Sequence, residues 1–243
     1  MKPFLLLQSR PEDAASDNEY EAFWQMSGLT PDDVVRLRMD KDDLPDVIDF
    51  SRYSGIFMGG GPANLADPAH KKSLLQQRFE PWLLKQLSLI VKDDVPFLGT
   101  CLGFGALTVV LQGQVDFEYG EPVSAVAIEV LPDGIGDPLL REVAPVFDAF
   151  VGHKEGVGAA PVGAVELARS AACSQMIRVG NNVYATQFHP ELDGKSLALR
   201  IQTYRNAGYF HPSEAESLIE MALEAQVSYP VTILKSFALR YHK

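Results

Sequence analysis

A cysteine flanked by glycines, a histidine two residues before a glutamate, and a run of three glycines are the parts of this sequence that could do chemistry. Cys101 lies in Gly99-Thr100-Cys101-Leu102-Gly103, after the apolar run 95–98 and before the apolar, proline-free run 104–112. Strand, G-x-C-x-G turn and helix make the cysteine form of a nucleophile elbow. A sharp turn lifts one side chain out at the end of a sheet, and the flanking glycines relieve the crowding around it. The helix N-terminus behind the turn brings N–H groups and partial positive charge, which predicts a thiol pKa lowered from about 8.5 toward neutrality or below. His189 and Glu191 supply the base that such a thiol needs and an acid to orient that base. In an extended segment residues i and i+2 face one side, so both are expected to point from one strand end toward the elbow, with Pro190 stiffening the spacing. Gly59, Gly60 and Gly61 follow a short strand at 55–58, where they let the backbone approach a ligand and offer N–H groups to a negative charge.

The elements that must position these residues follow from periodicity. Continuous apolar runs at 4–7, 55–58 and 95–98, with a weaker one at 34–37, read as strands of a parallel sheet buried on both faces. Between them lie a polar loop at 8–18, a short helix at 19–26 stopped by Gly28, an acidic solvated loop beginning at Asp40, and an amphipathic helix over 72–91 with Pro81 as a kink or break. From residue 115 the chain becomes strand-rich, with strands at 124–130, 146–151, 164–168, 175–179 and 183–188, a short helix at 139–144, and hairpin chemistry at 180–182. Helical periodicity returns at 194–206. Ser213 and Glu216 match a capping box opening a helix to about 226, and 231–243 reads as a last helix. The expectation is an α/β fold: a mostly parallel central sheet with helices on both faces, the cysteine elbow, and extra C-terminal helices. Residues 1–243 are read as a single domain, with a core over about 4–209 and a helical extension over 210–243.

Three segments carry a family resemblance: GTCLGFG around Cys101, MGGGP at 58–62 and TQFHPE at 186–191 resemble the three signatures of class I glutamine amidotransferases. The resemblance covers about 4–209. HKEGV at 153–157 is similar to the segment before the final strands in the amidotransferase portion of GMP synthetases, which makes His153 and Glu155 candidate substrate-binding residues. It implies Cys101 as nucleophile, His189 as acid/base and Glu191 as its orienter. Amides at Gly60 or Gly61 and at Leu102 would form the oxyanion hole. The implied reaction is hydrolysis of the γ-amide of glutamine through a γ-glutamyl thioester, releasing glutamate and ammonia. The implied partners are glutamine or another γ-glutamyl amide and, in one version, a separate synthetase subunit that accepts the ammonia. A stand-alone γ-glutamyl peptidase or amidase acting on a small conjugate is the alternative. A non-catalytic module on the same fold, or a member of the intracellular-protease-like group, is also weighed; the latter lacks the His-Pro-Glu segment. Two positions depart from the family pattern: Gly105 stands where a substrate-holding Gln is usual, and Gly59 where a Ser is common.

Composition narrows the classes. The 243-residue chain is 47% hydrophobic and 22% charged, an ordinary globular balance. A net charge of −11 argues against nucleic-acid and anionic-membrane surfaces. Two cysteines make no disulfide framework, so Cys173 reads as structural. The N-terminal apolar run of four residues is too short for a signal peptide, and the expectation is a cytoplasmic protein. No cofactor or metal is expected: His70, His211 and His242 lack ligand spacing, and Gly194-Lys195-Ser196 lacks the upstream glycine of a P-loop. Trp24 and Trp82 read as core residues.

Overall fold

The computed structural model describes residues 1–242. Nine strands form one sheet in the order β2-β1-β3-β4-β9-β8-β7-β5-β6. Its first half, β1 (Phe4–Gln8), β2 (Val34–Arg38), β3 (Ile56–Met58), β4 (Phe97–Thr100) and β9 (Val183–Thr186), is parallel throughout. The second half, β5 (Glu121–Val130), β6 (Val146–His153), β7 (Ala164–Arg169), β8 (Ser174–Val179) and β9, pairs antiparallel. The sheet is therefore mixed. The antiparallel half needs no helical crossovers, so short loops and turns suffice between its strands.

Helices α1 (Asp13–Ser27) and α6 (Pro230–Tyr241) cover one face of the parallel half. Phe23, Ile233, Leu234 and Phe237 join Phe4, Phe57 and Tyr184 in one buried cluster there. Helices α2 (Leu74–Lys92) and α3 (Leu102–Val110) cover the other face, where Phe79, Leu83, Leu87 and Phe104 pack on Leu5, Leu7, Ile56 and Phe97. Each such large apolar side chain contributes roughly 1.5–3 kcal/mol by leaving water. Helices α4 (Gly194–Thr203) and α5 (Ala215–Glu224) pack beside β5 and β6, around Phe150, Leu197, Ile201 and Ala222.

Several local expectations are corrected. The loop expected at 8–18 gives way to α1 at Asp13, six residues before the expected start at Glu19. Buried tertiary contacts explain the extension: Ser16 and Glu19 are enclosed, and Gln8 Nε2 donates to Ser16 O at 2.7 Å. Pro81 lies inside α2 without ending it. Residues 139–144 form turns instead of a helix, with the buried Asp137 accepting from the Leu139 amide at 3.0 Å. The capping box uses His211 and Glu214, not Ser213 and Glu216; Glu216 pairs instead with Arg205 at 3.0 Å. Gly28 stops α1 as expected, at φ 77°. The last helix ends at Tyr241, and Lys243 lies outside the described residues.

Candidate active site

The parallel pairing of β4 with β9 brings the elbow and the His-Pro-Glu segment to one edge. Thr100 stands opposite Thr186, and the Cys101 amide donates to Thr186 O at 2.8 Å. Cys101 turns the corner at φ 51°, ψ −95°, outside the regions that L-residues favour, and α3 begins at the next residue. A non-glycine residue held there costs on the order of 1–3 kcal/mol and is retained where the surroundings fix it. A β-carbon on Gly99 would lie 2.8 Å from the Phe97 ring and 3.1 Å from the Gly103 carbonyl carbon, so the tight turn requires a glycine there.

His189 reaches the same place from the turn that follows β9. The strand ends at Thr186 and not at Phe188, so His189 and Glu191 meet across a turn and not by strand alternation. Their contact is nevertheless direct, with His189 Nδ1 2.7 Å from Glu191 Oε1. The glycine run closes the third side. A β-carbon on Gly60 would come within 2.9 Å of His189 Cε1 and 3.4 Å of Cys101 Cβ, so the thiol and the imidazole flank this one glycine. Ser9 Oγ donates to Gly60 O at 3.0 Å and fixes that peptide. The amides of Gly60, Gly61 and Leu102 have no acceptor among the loop and cap hydrogen bonds of the described residues.

Behind His189 lies a set of charges that sequence reasoning missed. Arg200 Nη1 donates to Glu191 Oε1 at 3.0 Å, and Arg10 Nε donates to Glu19 Oε1 at 2.8 Å. Arg200 Nη2 comes within 3.9 Å of the same Glu19 oxygen, and Arg10 Nη1 donates to Tyr204 Oη at 3.2 Å. Two cations and two carboxylates, all buried, balance one another, as charges in a low-dielectric interior must. Burial opposes the charge on Glu191, but His189 and Arg200 outweigh it and hold the carboxyl at about 2. Burial keeps His189 below its ordinary value, with Arg200 and Arg10 adding to the effect and Glu191 opposing it. The expected low-pKa thiol is not found. Burial pushes Cys101 up to about 12; Arg10 pulls it down, and Glu155 and Glu191 push it further up.

His153 and Glu155 sit on the far side of Cys101. Glu155 accepts from the Leu65 and Ala66 amides at 2.7 and 2.8 Å and lines a cavity with Gly105, Asn64 and Gln187. Burial raises its pKa, and the two amides oppose the rise. His153 borders this cavity, but its ring is held by Glu155 O at 2.8 Å and Glu121 Oε2 at 3.0 Å. Glu121 also accepts from Gln175 Nε2 and, at 3.4 Å, from Cys173 Sγ. Glu121, His153 and Cys173 have metal-ligand types within 4.8 Å of one another, a grouping the spacing of the sequence did not suggest. Burial and the Glu121 carboxylate push the Cys173 thiol up to about 12, so it stays a hydrogen-bond donor to that carboxylate.

The profile of the family "Glutamine amidotransferase class-I" matches residues 33–201. The chain belongs to that family. Class I glutamine amidotransferases are enzymes, and the intact elbow accords with that. A GMP synthase (glutamine-hydrolysing) of Salmonella typhimurium is 28% identical over 155 residues, 61% of this chain, but this chain spans only 27% of that relative's length. In Sulfolobus acidocaldarius, one subunit of a glutamine-hydrolysing GMP synthase is 27% identical over 162 residues, 66% of this chain and 78% of the relative. The crystal structure of a glutamine amidotransferase from Thermotoga maritima shares the fold, with a TM-score of 0.73 at 20% identity over 99% of this chain and 98% of that one. Among the described residues no helix is long and apolar enough to cross a membrane.

Against this amidotransferase background the two sequence departures have structural counterparts. A β-carbon on Gly59 would overlap the Glu19 carboxylate, so the buried charge set occupies the place of the usual serine side chain. A β-carbon on Gly105 would come within 3.0 Å of Leu65 Cδ1 and 3.8 Å of Glu155 Oε1. Leu65 thus fills the room of the usual glutamine side chain, and Glu155 is the polar group facing that cavity.

Proposed function

We propose that this amidotransferase hydrolyses γ-glutamyl amides, glutamine being the simplest, through Cys101, His189 and Glu191. His189 takes the Cys101 proton as the sulfur attacks the amide carbonyl, which balances the cost of forming a thiolate where burial disfavours it. The developing oxyanion is received by the amide of Gly60 or Gly61 and that of Leu102, each donor contributing about 3 kcal/mol. His189 then delivers its proton to the leaving nitrogen, and a γ-glutamyl thioester remains. Water activated by the same imidazole releases glutamate. Glu191, held by Arg200, keeps the His189 ring oriented and favours its transient positive charge. The observation that carries this reading is the 2.7 Å His189–Glu191 contact standing beside an elbow cysteine at φ 51°.

Helix α6 belongs to the same working unit, since its Phe237 packs on Phe4 and Phe57 of the parallel strands. Glu155, and His153 through its bond to Glu155 O, shape the glutamyl side of the pocket. The Sulfolobus relative is one subunit of a synthase, which supports a version in which ammonia passes to a separate synthetase chain in the cytoplasm.

Glutamate release from L-glutamine by the purified chain, beside Cys101→Ala and His189→Ala, tests the reading. Loss of all turnover in the first variant and a fall of about 10²–10⁴-fold in the second are expected. Unchanged turnover in Cys101→Ala would overturn it.

A further inference from the structure

Cys101 stands between two cavities that share Gly61 and Tyr209 as their common wall. One is the cavity over Gly105 and Glu155. The other runs from His189 toward α4 and is walled by Val123, Val151, Leu192, Ile201 and Phe210. A planar amide over the Cys101 sulfur, with its oxygen at the Gly61 and Leu102 amides, must send its carbon chain and its nitrogen in opposite directions. His189 protonates the nitrogen, so the nitrogen and whatever it carries point into the second cavity, and the glutamyl chain points toward Glu155. Ammonia needs about as much room as one water molecule, for whose centre about 10–15 Å³ suffices. The second cavity offers about 60 Å³ on that measure, several times as much, and has the apolar lining of a small-molecule subsite.

We infer that this cavity is a leaving-group subsite and that the enzyme cleaves γ-glutamyl amides of apolar amines in preference to free glutamine. The inference rests on the catalytic reading given above. Charge supports it: Arg10 and Arg200, the cations at the cavity's inner end, are held by Glu19 and Glu191. The remaining wall is hydrocarbon and aromatic surface that suits an apolar body. The roof comes from the chain itself. After α4 the residues 204–210 cross over the site, where Tyr209 Oη donates to Gly61 O at 3.4 Å. Lys154 Nζ donates to Ala207 O at 2.7 Å and lies 4.4 Å from the centre of the Tyr209 ring. Residues 204–210 thus form part of the subsite's wall. The reaction balances simply. The S–C bond forms as C–N breaks, the thiol proton leaves with the amine by way of His189, and water then breaks S–C to give glutamate and restore the thiol.

The test compares kcat/KM for L-glutamine, γ-glutamyl-L-phenylalanine and γ-glutamyl-benzylamide on the full chain, with Val123→Trp to narrow the cavity and Phe210→Ala to widen it. At least one of the two amides is expected to exceed glutamine by about tenfold or more, the lower end of what filling an apolar pocket yields. Val123→Trp is expected to lower the amide-to-glutamine ratio about tenfold, and thermal melts identify any variant that fails to fold. Preference for the dipeptide points to an amino-acid leaving group, and preference for the benzylamide to a simple amine. If neither amide is cleaved faster than glutamine, or if both cavity variants fold and leave the ratio unchanged, the inference is overturned while the Cys101 reading stands. If no substrate is cleaved and Cys101 resists a glutamine-like alkylator, the catalytic reading itself has failed.

Discussion

The carboxylate of Glu19 fills the space in front of Gly59, where a β-carbon would come within 2.5 Å of its Oε1. Glycine at 59 and the buried charge set of Arg10, Glu19, Glu191 and Arg200 therefore belong together. Gly59→Ser is expected to lower stability by about 1–3 kcal/mol through overpacking, measured by urea unfolding. Adding Glu19→Ala to it should not restore the protein, because Arg10 and Arg200 then lose a buried counter-charge. Full stability in the single variant would show that Glu19 moves aside freely.

Arg200 acts on the chemistry through Glu191 and is a positioning residue. Its charge lowers the pKa of both His189 and Glu191. Arg200→Met should therefore raise the His189 pKa and move the acid limb of kcat/KM to higher pH, with kcat reduced. Arg200→Lys should recover part of the shift. A lower kcat with an unmoved limb would mean that Arg200 matters only for folding.

Stability should rise with pH on the acid side. His189 and Glu191 both have folded-state values below their ordinary ones, so the unfolded chain binds more protons. The His189 contribution is present above its ordinary value of about 6.5 and begins to fall away below it. The Glu191 contribution, on the order of 3 kcal/mol, is present above about 4.3 and is lost as pH falls toward 2. Chemical unfolding at pH 7, 5.5, 4 and 2.5 should show a loss beginning below about 6.5 and a further one below about 4.3, and Glu191→Gln should remove the second while leaving the first in place.

Gly105→Gln would restore the residue common in the family, yet Leu65 stands in its way at 3.0 Å. The single variant should raise KM for glutamine or destabilise by about 1–3 kcal/mol. The pair Gly105→Gln with Leu65→Ala should relieve that strain. Glutamine kinetics for the two variants check this, and an equal defect in both would reject the steric account.

The elbow was legible because its chemistry is local: the glycines, the apolar strand and the apolar helix lie within eighteen residues of sequence, 95–112. His189 and Glu191 were legible for the same reason, although a turn and not a strand joins them. Arg10, Glu19 and Arg200 were not, because no spacing links positions so far apart and only the closed fold brings them together. Arg10 had one usable signal, its place just past the carboxyl end of a buried parallel strand, where such sheets bind ligands. The early start of α1 was hidden because its first turns are polar and are stabilised by tertiary contacts at Ser16 and Glu19. The rise in the Cys101 pKa was not legible, because it comes from burial that only the closed fold creates.

Covalent capture by a γ-diazoketone analogue of glutamine, followed by peptide mapping, tests the central claim most directly. The account predicts one adduct per chain on Cys101, slowed strongly in His189→Ala, with Cys173 untouched behind its hydrogen bond to Glu121. An adduct on Cys173, or none on a folded chain, would contradict it.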